Sequence, residues 1–200
     1  MSFVLGLTGS IAMGKSTTSD MFRSKGLPVF DADAVVRQMR ESDPRTINAL
    51  KKAFPDYWLQ GKLNTAALGA QAFNDPIILK KLENIFYPDL RAKMHSFIFR
   101  HRLAKTPIVV LDIPKLFESG LDQYCDGVAV VAAPDFVQRQ RVMSRPNMTA
   151  QKLKKILTLQ MPTAEKCAQA DFVLQTGLGR AYTYGQVTDL VAGILEKADA

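Results

Sequence analysis

The strongest constraint on this chain of 200 residues lies in its first sixteen positions. Phe3-Val-Leu-Gly-Leu-Thr8 is a bounded apolar run, the pattern of a buried strand. Gly9-Ser10-Ile11-Ala12-Met13-Gly14-Lys15-Ser16 follows at once and satisfies G-x-x-x-x-G-K-S. Thr17 to Lys25 then reads as a helix with Met21 and Phe22 facing inward. Strand, glycine-bearing loop and helix in that order are the context in which this spacing forms a phosphate-binding P-loop.

The chemistry explains the spacing. Gly9 and Gly14 let the backbone turn sharply, so that N–H groups approach phosphate oxygens. The helix beginning near Lys15 adds its positive N-terminal end. Lys15 reaches the β- and γ-phosphates as a mobile point charge and is expected to stand exposed to them rather than packed. The Ser16 hydroxyl is placed to ligate Mg²⁺. ATP and Mg²⁺ are the expected cofactors.

A chain of this size buries about 70% of its unfolded surface and needs no staples. No apolar run approaches the roughly 20 residues of a membrane span. The first strand begins almost at the N-terminus, so no leader is expected. Cys125 and Cys167 lack metal-ligand spacing and read as reduced thiols of a cytoplasmic protein. The net charge of +7 suits polyanions. Its basic residues are dispersed rather than gathered into an arm, which favours polyphosphate substrates over nucleic acid.

After the first helix, Gly26 is a C-cap signal and Leu27-Pro-Val-Phe30 a short strand. A helix then carries Val35, Val36 and Met39 on one face. Asp43-Pro44 opens another, Asn64-Thr65 a third and Asp75-Pro76 a fourth, whose stripe is Ile78, Leu79, Leu82, Ile85 and Phe86. Pro88 is expected to break or restart that helix. Residues 34–105 thus read as an almost wholly helical insertion, a substrate subdomain. Pro107–Asp112, Gly127–Ala132 and Asp171–Leu174 are continuous apolar strands, as in a parallel sheet covered on both faces. Asp135 to Arg145 and Thr149 to Gln160 read as helices of a basic hairpin, about 139–165, that resembles a lid. Five strands alternating with helices imply a doubly wound α/β fold, with phosphates at the carboxyl ends of the strands.

Asp31-Ala-Asp33…Arg37 sits just after the second strand. A carboxylate there suits acceptance of a proton from an attacking hydroxyl, and Arg37 on the same helical face suits a phosphate. An N-cap aspartate with a surface salt bridge fits these residues equally well, and both readings stand open at this point.

The chain resembles the dephospho-coenzyme A kinases nearly end to end. The matching pieces are Gly6-Leu-Thr-Gly-Ser-Ile-Ala-Met-Gly-Lys-Ser-Thr17, Val29-Phe-Asp-Ala-Asp33…Arg37, Leu82-Glu-Asn-Ile-Phe-Tyr-Pro88…Arg91, Val110-Leu-Asp-Ile-Pro-Lys-Leu-Phe-Glu118, Gln138-Arg-Gln-Arg141…Arg145, Gln160 and Ala170-Asp171…Gly177. The P-loop is shared by many nucleotide-binding proteins; D-A-D-x-x-x-R followed by I-P-x-L-F-E is far more specific. The resemblance implies the P-loop kinase fold and transfer of the ATP γ-phosphate to the ribose 3′-hydroxyl of dephospho-CoA.

The resemblance also implies a division of labour. A nucleotide-binding core would comprise 1–33, 106–138 and 166–200, with a coenzyme-binding subdomain at 34–105 and a lid at 139–165. It implies Asp33 as catalytic base, Thr8 and Arg37 at the acceptor-phosphate site, and Arg141 with Arg145 clamping ATP phosphates. Thr17 joins the nucleotide-binding residues, Asp112 joins Ser16 at the metal, and Glu118 orders the acceptor side. The partner would be dephospho-CoA, without nucleic acid or membrane, in a monomer or weak homo-oligomer.

Four positions depart from the family pattern. Ala12 replaces a usual glycine, so the loop is expected to be strained or not left-handed there. Tyr87 replaces histidine before Pro88. Lys115 replaces leucine, and Gln175 stands where asparagine or aspartate is usual. A nucleoside or nucleotide kinase of the same architecture is one alternative, and a nucleotide-binding regulatory protein with weak turnover, kept open by Ala12, Tyr87 and Gln175, is another.

Overall fold

The computed structural model describes residues 2–199. In chain order the first elements are β1 (Phe3–Thr8), α1 (Lys15–Ser24), β2 (Val29–Asp31), α2 (Ala32–Ser42), α3 (Pro44–Ala53), β3 (Trp58–Leu59), β4 (Lys62–Leu63), α4 (Thr65–Asn74) and α5 (Pro76–Leu103). They are followed by β5 (Ile108–Asp112), β6 (Gly127–Ala132), α6 (Asp135–Met143), α7 (Ala150–Thr158), α8 (Thr163–Gln169), β7 (Phe172–Gln175) and α9 (Arg180–Asp199). Two compact units divide the chain: residues 1–31 with 98–200, and residues 32–97.

In the first unit the apolar runs become one parallel sheet in the order β2-β5-β1-β6-β7. Val4, Leu5, Leu7, Val109, Val110, Val130 and Val131 are all 0% exposed. Strands so covered on both faces read as unbroken hydrophobic runs, which is why they were legible. Each such side chain contributes about 1.5–3 kcal/mol of burial energy. Met21, Phe22, Val187, Leu190 and Ile194 pack into the same core. The chain leaves central β1 for β2, returns by β5 and crosses to β6. This reversal beside β1 is where ligands bind in such sheets. At the carboxyl ends, Leu7 and Asp31 are both in register with Asp112, and Thr8 with Val130.

Helix α1 closes with the paired hydrogen bonds of a left-handed cap, Gly26 N–H to Arg23 O at 2.9 Å and Leu27 N–H to Phe22 O at 3.2 Å. Gly26 has φ 78°. The cap holds Leu27, so β2 begins at Val29 rather than at Leu27 as expected. Pro162 ends the α7 region, but the chain after it forms α8, which the sequence reading did not separate from the hairpin.

The second unit has its own core of Leu50, Phe54 and Leu68, surrounded by Tyr57, Trp58, Leu63, Ile78, Leu82, Ile85 and Phe86. Asp43 caps α3, accepting from Arg45 N–H at 3.2 Å, and Asn64 caps α4, accepting from Ala67 N–H at 3.0 Å. Thr46, donating to Asp43 at 2.8 Å, is the main cause that holds this carboxyl below its ordinary range. Two expectations fail here. A β3–β4 hairpin interrupts the helices, turning at Gln60 and Gly61 with φ 50° and 77°. Two central residues of positive φ are the twist-matched hairpin turn. Pro88 does not break α5, which runs unbroken for 28 residues. Ile85 and Phe86 pack before the proline, and Leu90 and Met94, at 5% and 0% exposed, are buried after it. That burial on both sides outweighs one missing N–H.

Candidate active site

The loop between β1 and α1 has the backbone its glycines were expected to permit. A Cβ on Gly9 would lie 2.3 Å from Val131 Cγ2 and 3.0 Å from Val131 O, so the loop runs against β6 with no room for a side chain. Gly14 has φ 95°, and a Cβ there would meet Thr176 Oγ1 at 3.0 Å. Ala12 has φ 59°. Of the two expectations for it, the strained one holds, since a left-handed L-residue costs about 1–2 kcal/mol. Met13 turns its side chain into the core at 1% exposed, where its sulfur accepts from Ala133 N–H at 3.2 Å.

Lys15, the first residue of α1, is bonded through Nζ to Asp112 Oδ1 at the end of β5. Their side chains are 14% and 4% exposed. Lys15 is therefore largely packed against Asp112, where the expectation had it exposed to phosphates rather than packed. A carboxylate this buried needs a counter-charge, and Lys15 supplies it. Ser16 is exposed in the first turn of α1, while Thr17 is half-buried. Ser10 is buried and its Oγ accepts from Thr163 Oγ1 at 2.9 Å.

The basic hairpin grips the loop. Arg141 of α6 donates to Ala12 O at 3.4 Å, to Thr176 Oγ1 at 3.1 Å and to Thr176 O at 2.6 Å. Gln138 Nε2 donates to Ile11 O at 2.9 Å, and Gln160 Oε1 accepts from Ile11 N–H at 3.0 Å. Thr176 Oγ1 donates to Met13 O at 2.6 Å. Arg145 is exposed in the turn after α6 and is not brought to the loop in the way Arg141 is.

Beyond β5 a second network holds residues 114–118. Thr8, 0% exposed, donates through Oγ1 to Pro114 O at 3.0 Å. Lys166 of α8, also 0% exposed, donates to the same carbonyl at 3.0 Å and to Glu118 Oε2 at 3.0 Å. Glu118 Oε1 accepts from Met161 N–H at 2.9 Å. Thr8 and Glu118 thus both brace the segment after β5. In the second unit, Asp33 lies in the first turn of α2 and Arg37 one turn on, both exposed.

A P-loop between a strand and a helix is a phosphate-binding arrangement that does not by itself single out one family. Residues 3–179 match the sequence pattern described as Dephospho-CoA kinase. The chain belongs to the dephospho-CoA kinase family. Among dephospho-CoA kinases, that of Novosphingobium aromaticivorans is 47% identical over 195 residues, covering 98% of this chain and 96% of its own. Among solved structures, a Thermus thermophilus protein matches with a TM-score of 0.85 at 33% identity, covering 96% of this chain and 97% of its own. Dephospho-CoA kinase from Campylobacter jejuni matches with a TM-score of 0.72 at 26% identity, covering 99% and 100%. The chain is therefore an ATP-dependent kinase of this family, acting on a small molecule. No helix among the described residues is long and apolar enough to cross a membrane.

Two of the remaining departures from the dephospho-CoA kinase pattern, Tyr87 and Gln175, hydrogen-bond to side chains near them in the chain. Tyr87 donates through its hydroxyl to Glu83, 3.3 Å away and one helical turn earlier. The Gln175 backbone is held by the Gln186 amide, at 3.0 Å to its N–H and 2.9 Å to its carbonyl. Trp58 packs in the second unit's core with Lys51 Nζ 5.1 Å from its ring centroid. Gln138, Gln160, Thr163, Lys166 and Thr176 carried no role in the sequence reading. No spacing rule finds them, because each acts on atoms distant in the chain.

Proposed function

We propose that this dephospho-CoA kinase transfers the γ-phosphoryl group of ATP to the ribose 3′-hydroxyl of dephospho-CoA, with the P-loop as the phosphate cradle. The observation that carries this reading is the loop itself. Ile11 and Met13 carbonyls are tied back to Gln138 and Thr176, and Lys15 stands at the adjoining helix N-terminus. Oriented N–H groups, a helix end and an ammonium are the donor set that a polyphosphate requires.

Lys15 is assigned to the β- and γ-phosphates. Arg141, whose planar fork already bonds Ala12 and Thr176, is assigned to phosphate charge at the closing side, with Arg145 as a second lid cation. The Ser16 hydroxyl and Asp112 are the residues that would hold Mg²⁺, a cation usually bound by one or two protein oxygens together with substrate phosphates. Bound there, Mg²⁺ supplies neutralisation of charge on the phosphates. Asp33 is assigned as the base. The 3′-oxygen forms a bond to the γ-phosphorus, the bond to the ADP oxygen breaks, and the hydroxyl proton passes to the Asp33 carboxylate. The support for Asp33 is its place two residues beyond β2, whose last residue is in register with Asp112. Arg37 is assigned to an acceptor phosphate. Thr8 and Glu118 support the acceptor side by bracing residues 114–118.

Residues 34–105 are assigned to the coenzyme, and the free thiols Cys125 and Cys167 support a reducing, cytoplasmic setting. Cys125 is an inert thiol, pushed up to about 12 by burial, with Asp122, Asp126 and Asp171 adding to the shift. Binding energy from the pantetheine arm then helps orient the 3′-hydroxyl. The test is to incubate the protein with Mg-ATP and a panel of acceptors. Dephospho-CoA is expected to exceed adenosine or AMP by at least about 10²-fold in kcat/KM, with the new phosphate on the 3′ oxygen. Phosphate on a 5′ position, or AMP turning over as fast, overturns the reading.

A further inference from the structure

Residues Ser10 to Met13 form a turn closed by Met13 N–H to Ser10 O at 3.2 Å. Its third residue, Ala12, has φ 59°, whereas Ile11 is not among the residues of positive φ. These signs are those of a type II turn. Type I and type II turns differ by rotation of the central peptide, here the one joining Ile11 to Ala12. The rotation carries the Ile11 carbonyl to the other face of the loop and returns Ala12 to negative φ. An alanine favours that negative value. The backbone by itself thus pulls toward the rotated form.

Side chains hold the form observed. Gln138 Nε2 donates to Ile11 O at 2.9 Å, and Gln160 Oε1 accepts from Ile11 N–H at 3.0 Å. Because the backbone partners are a fixed acceptor and a fixed donor, the orientation of both amides is determined. Gln138 is 6% exposed. One amide comes from α6 and the other from beyond α7, so both arms of the hairpin converge on a single residue. Carbonyl and N–H of one trans peptide point in opposite directions. The carbonyls of Ile11 and Met13, tied to Gln138 and to Thr176, therefore turn the N–H groups of Ala12 and Gly14 toward the other face, where successive N–H groups can enclose a phosphate.

We propose that Gln138 and Gln160 are positioning residues that hold the Ile11–Ala12 peptide in its phosphate-binding orientation against the backbone preference of Ala12. The inference rests on the reading of this loop as the ATP phosphate site. Without the Gln138 donor a fraction of molecules takes the rotated form, in which the Ile11 carbonyl replaces the Ala12 N–H. Apparent ATP affinity falls by that fraction. The dependence is a property of this chain, since a glycine at position 12 adopts positive φ without strain.

The test is a double-mutant cycle on wild type, Gln138→Leu, Ala12→Gly and the combination, measuring the Kd of Mg-ATP by calorimetry alongside kcat and both KM values. Gln138→Leu is expected to weaken ATP about tenfold with the KM for dephospho-CoA changed less than about twofold, and to weaken ATP no more than about threefold in the Ala12→Gly background. Gln138→Glu, isosteric but without the donor, is the second variant should leucine disturb packing, and it is expected to couple to Ala12→Gly in the same sense. Gln160→Glu keeps an acceptor and should lose less than Gln160→Leu. Equal ATP losses in the alanine and glycine backgrounds, or equal losses for both substrates, overturn the inference while leaving the loop's role intact. Undiminished ATP binding by Lys15→Ala overturns the reading of the loop and this inference with it.

Discussion

Lys15 and Asp112 neutralise each other at the carboxyl ends of neighbouring strands, one just past β1 and the other closing β5, with side chains 14% and 4% exposed. The pair ties the loop's cation to the acid expected at the metal. Each is then held in place by the charge of the other, before any phosphate is considered. Removing one partner leaves the other buried and uncompensated.

The first prediction follows from that pair. Lys15→Ala should abolish turnover and also destabilise the protein, by about 3 kcal/mol or more. Adding Asp112→Asn should return part of that stability but none of the turnover. Urea denaturation of wild type, Lys15→Ala, Asp112→Asn and the double variant measures this, and an unchanged midpoint for Lys15→Ala would show the pair to be energetically idle.

Asp33→Asn keeps size and polarity while removing the carboxylate. With Asp33 as base, kcat should fall by roughly 10²–10⁴-fold while ATP binding stays near wild type. Steady-state kinetics with both substrates decides it. Unchanged kcat with a raised KM for dephospho-CoA would reassign Asp33 to binding.

Arg141 and Arg145 carry the same charge four residues apart, yet only Arg141 reaches the Ala12 and Thr176 carbonyls. Arg141→Ala should therefore lower kcat more than tenfold and cost about 1–3 kcal/mol of stability through the acceptors it abandons. Arg145→Ala should stay within about 0.5 kcal/mol of wild-type stability and lose less activity. Equal, negligible effects on kcat at both sites would remove the hairpin from phosphate handling.

Pro88 sits inside continuous α5 and donates nothing to the carbonyl one turn back. Pro88→Ala should stabilise the protein by up to about 3 kcal/mol. Chemical denaturation checks the sign. A loss of stability would mean that the packing around α5 depends on the proline's local geometry.

Cap signals act within a few positions of the chain, so Asp43-Pro44, Asn64 and Thr149 marked helix starts where side chains do accept from the first-turn N–H groups. Pro88 reads as a break because its penalty is local, whereas the burial at Ile85, Phe86, Leu90 and Met94 that outweighs it comes from tertiary packing. The hairpin at Gln60-Gly61 leaves no alternation in the sequence, because its strands are two residues each.

The sequence alone determined the parallel sheet, the P-loop and the family, since unbroken apolar runs, glycine spacing and motif order are properties of consecutive residues. Only the tertiary structure decided that Ala12 would take φ 59°, that Lys15 would pair with Asp112, and that Gln138 and Gln160 would meet at Ile11. Each joins residues that are far apart in the chain or whose conformation others impose. Gln160 lies 149 positions from Ile11. The physical reason is that a hydrogen bond or an ion pair depends on distance in space, and it is the closing of the sheet around β1 that sets those distances.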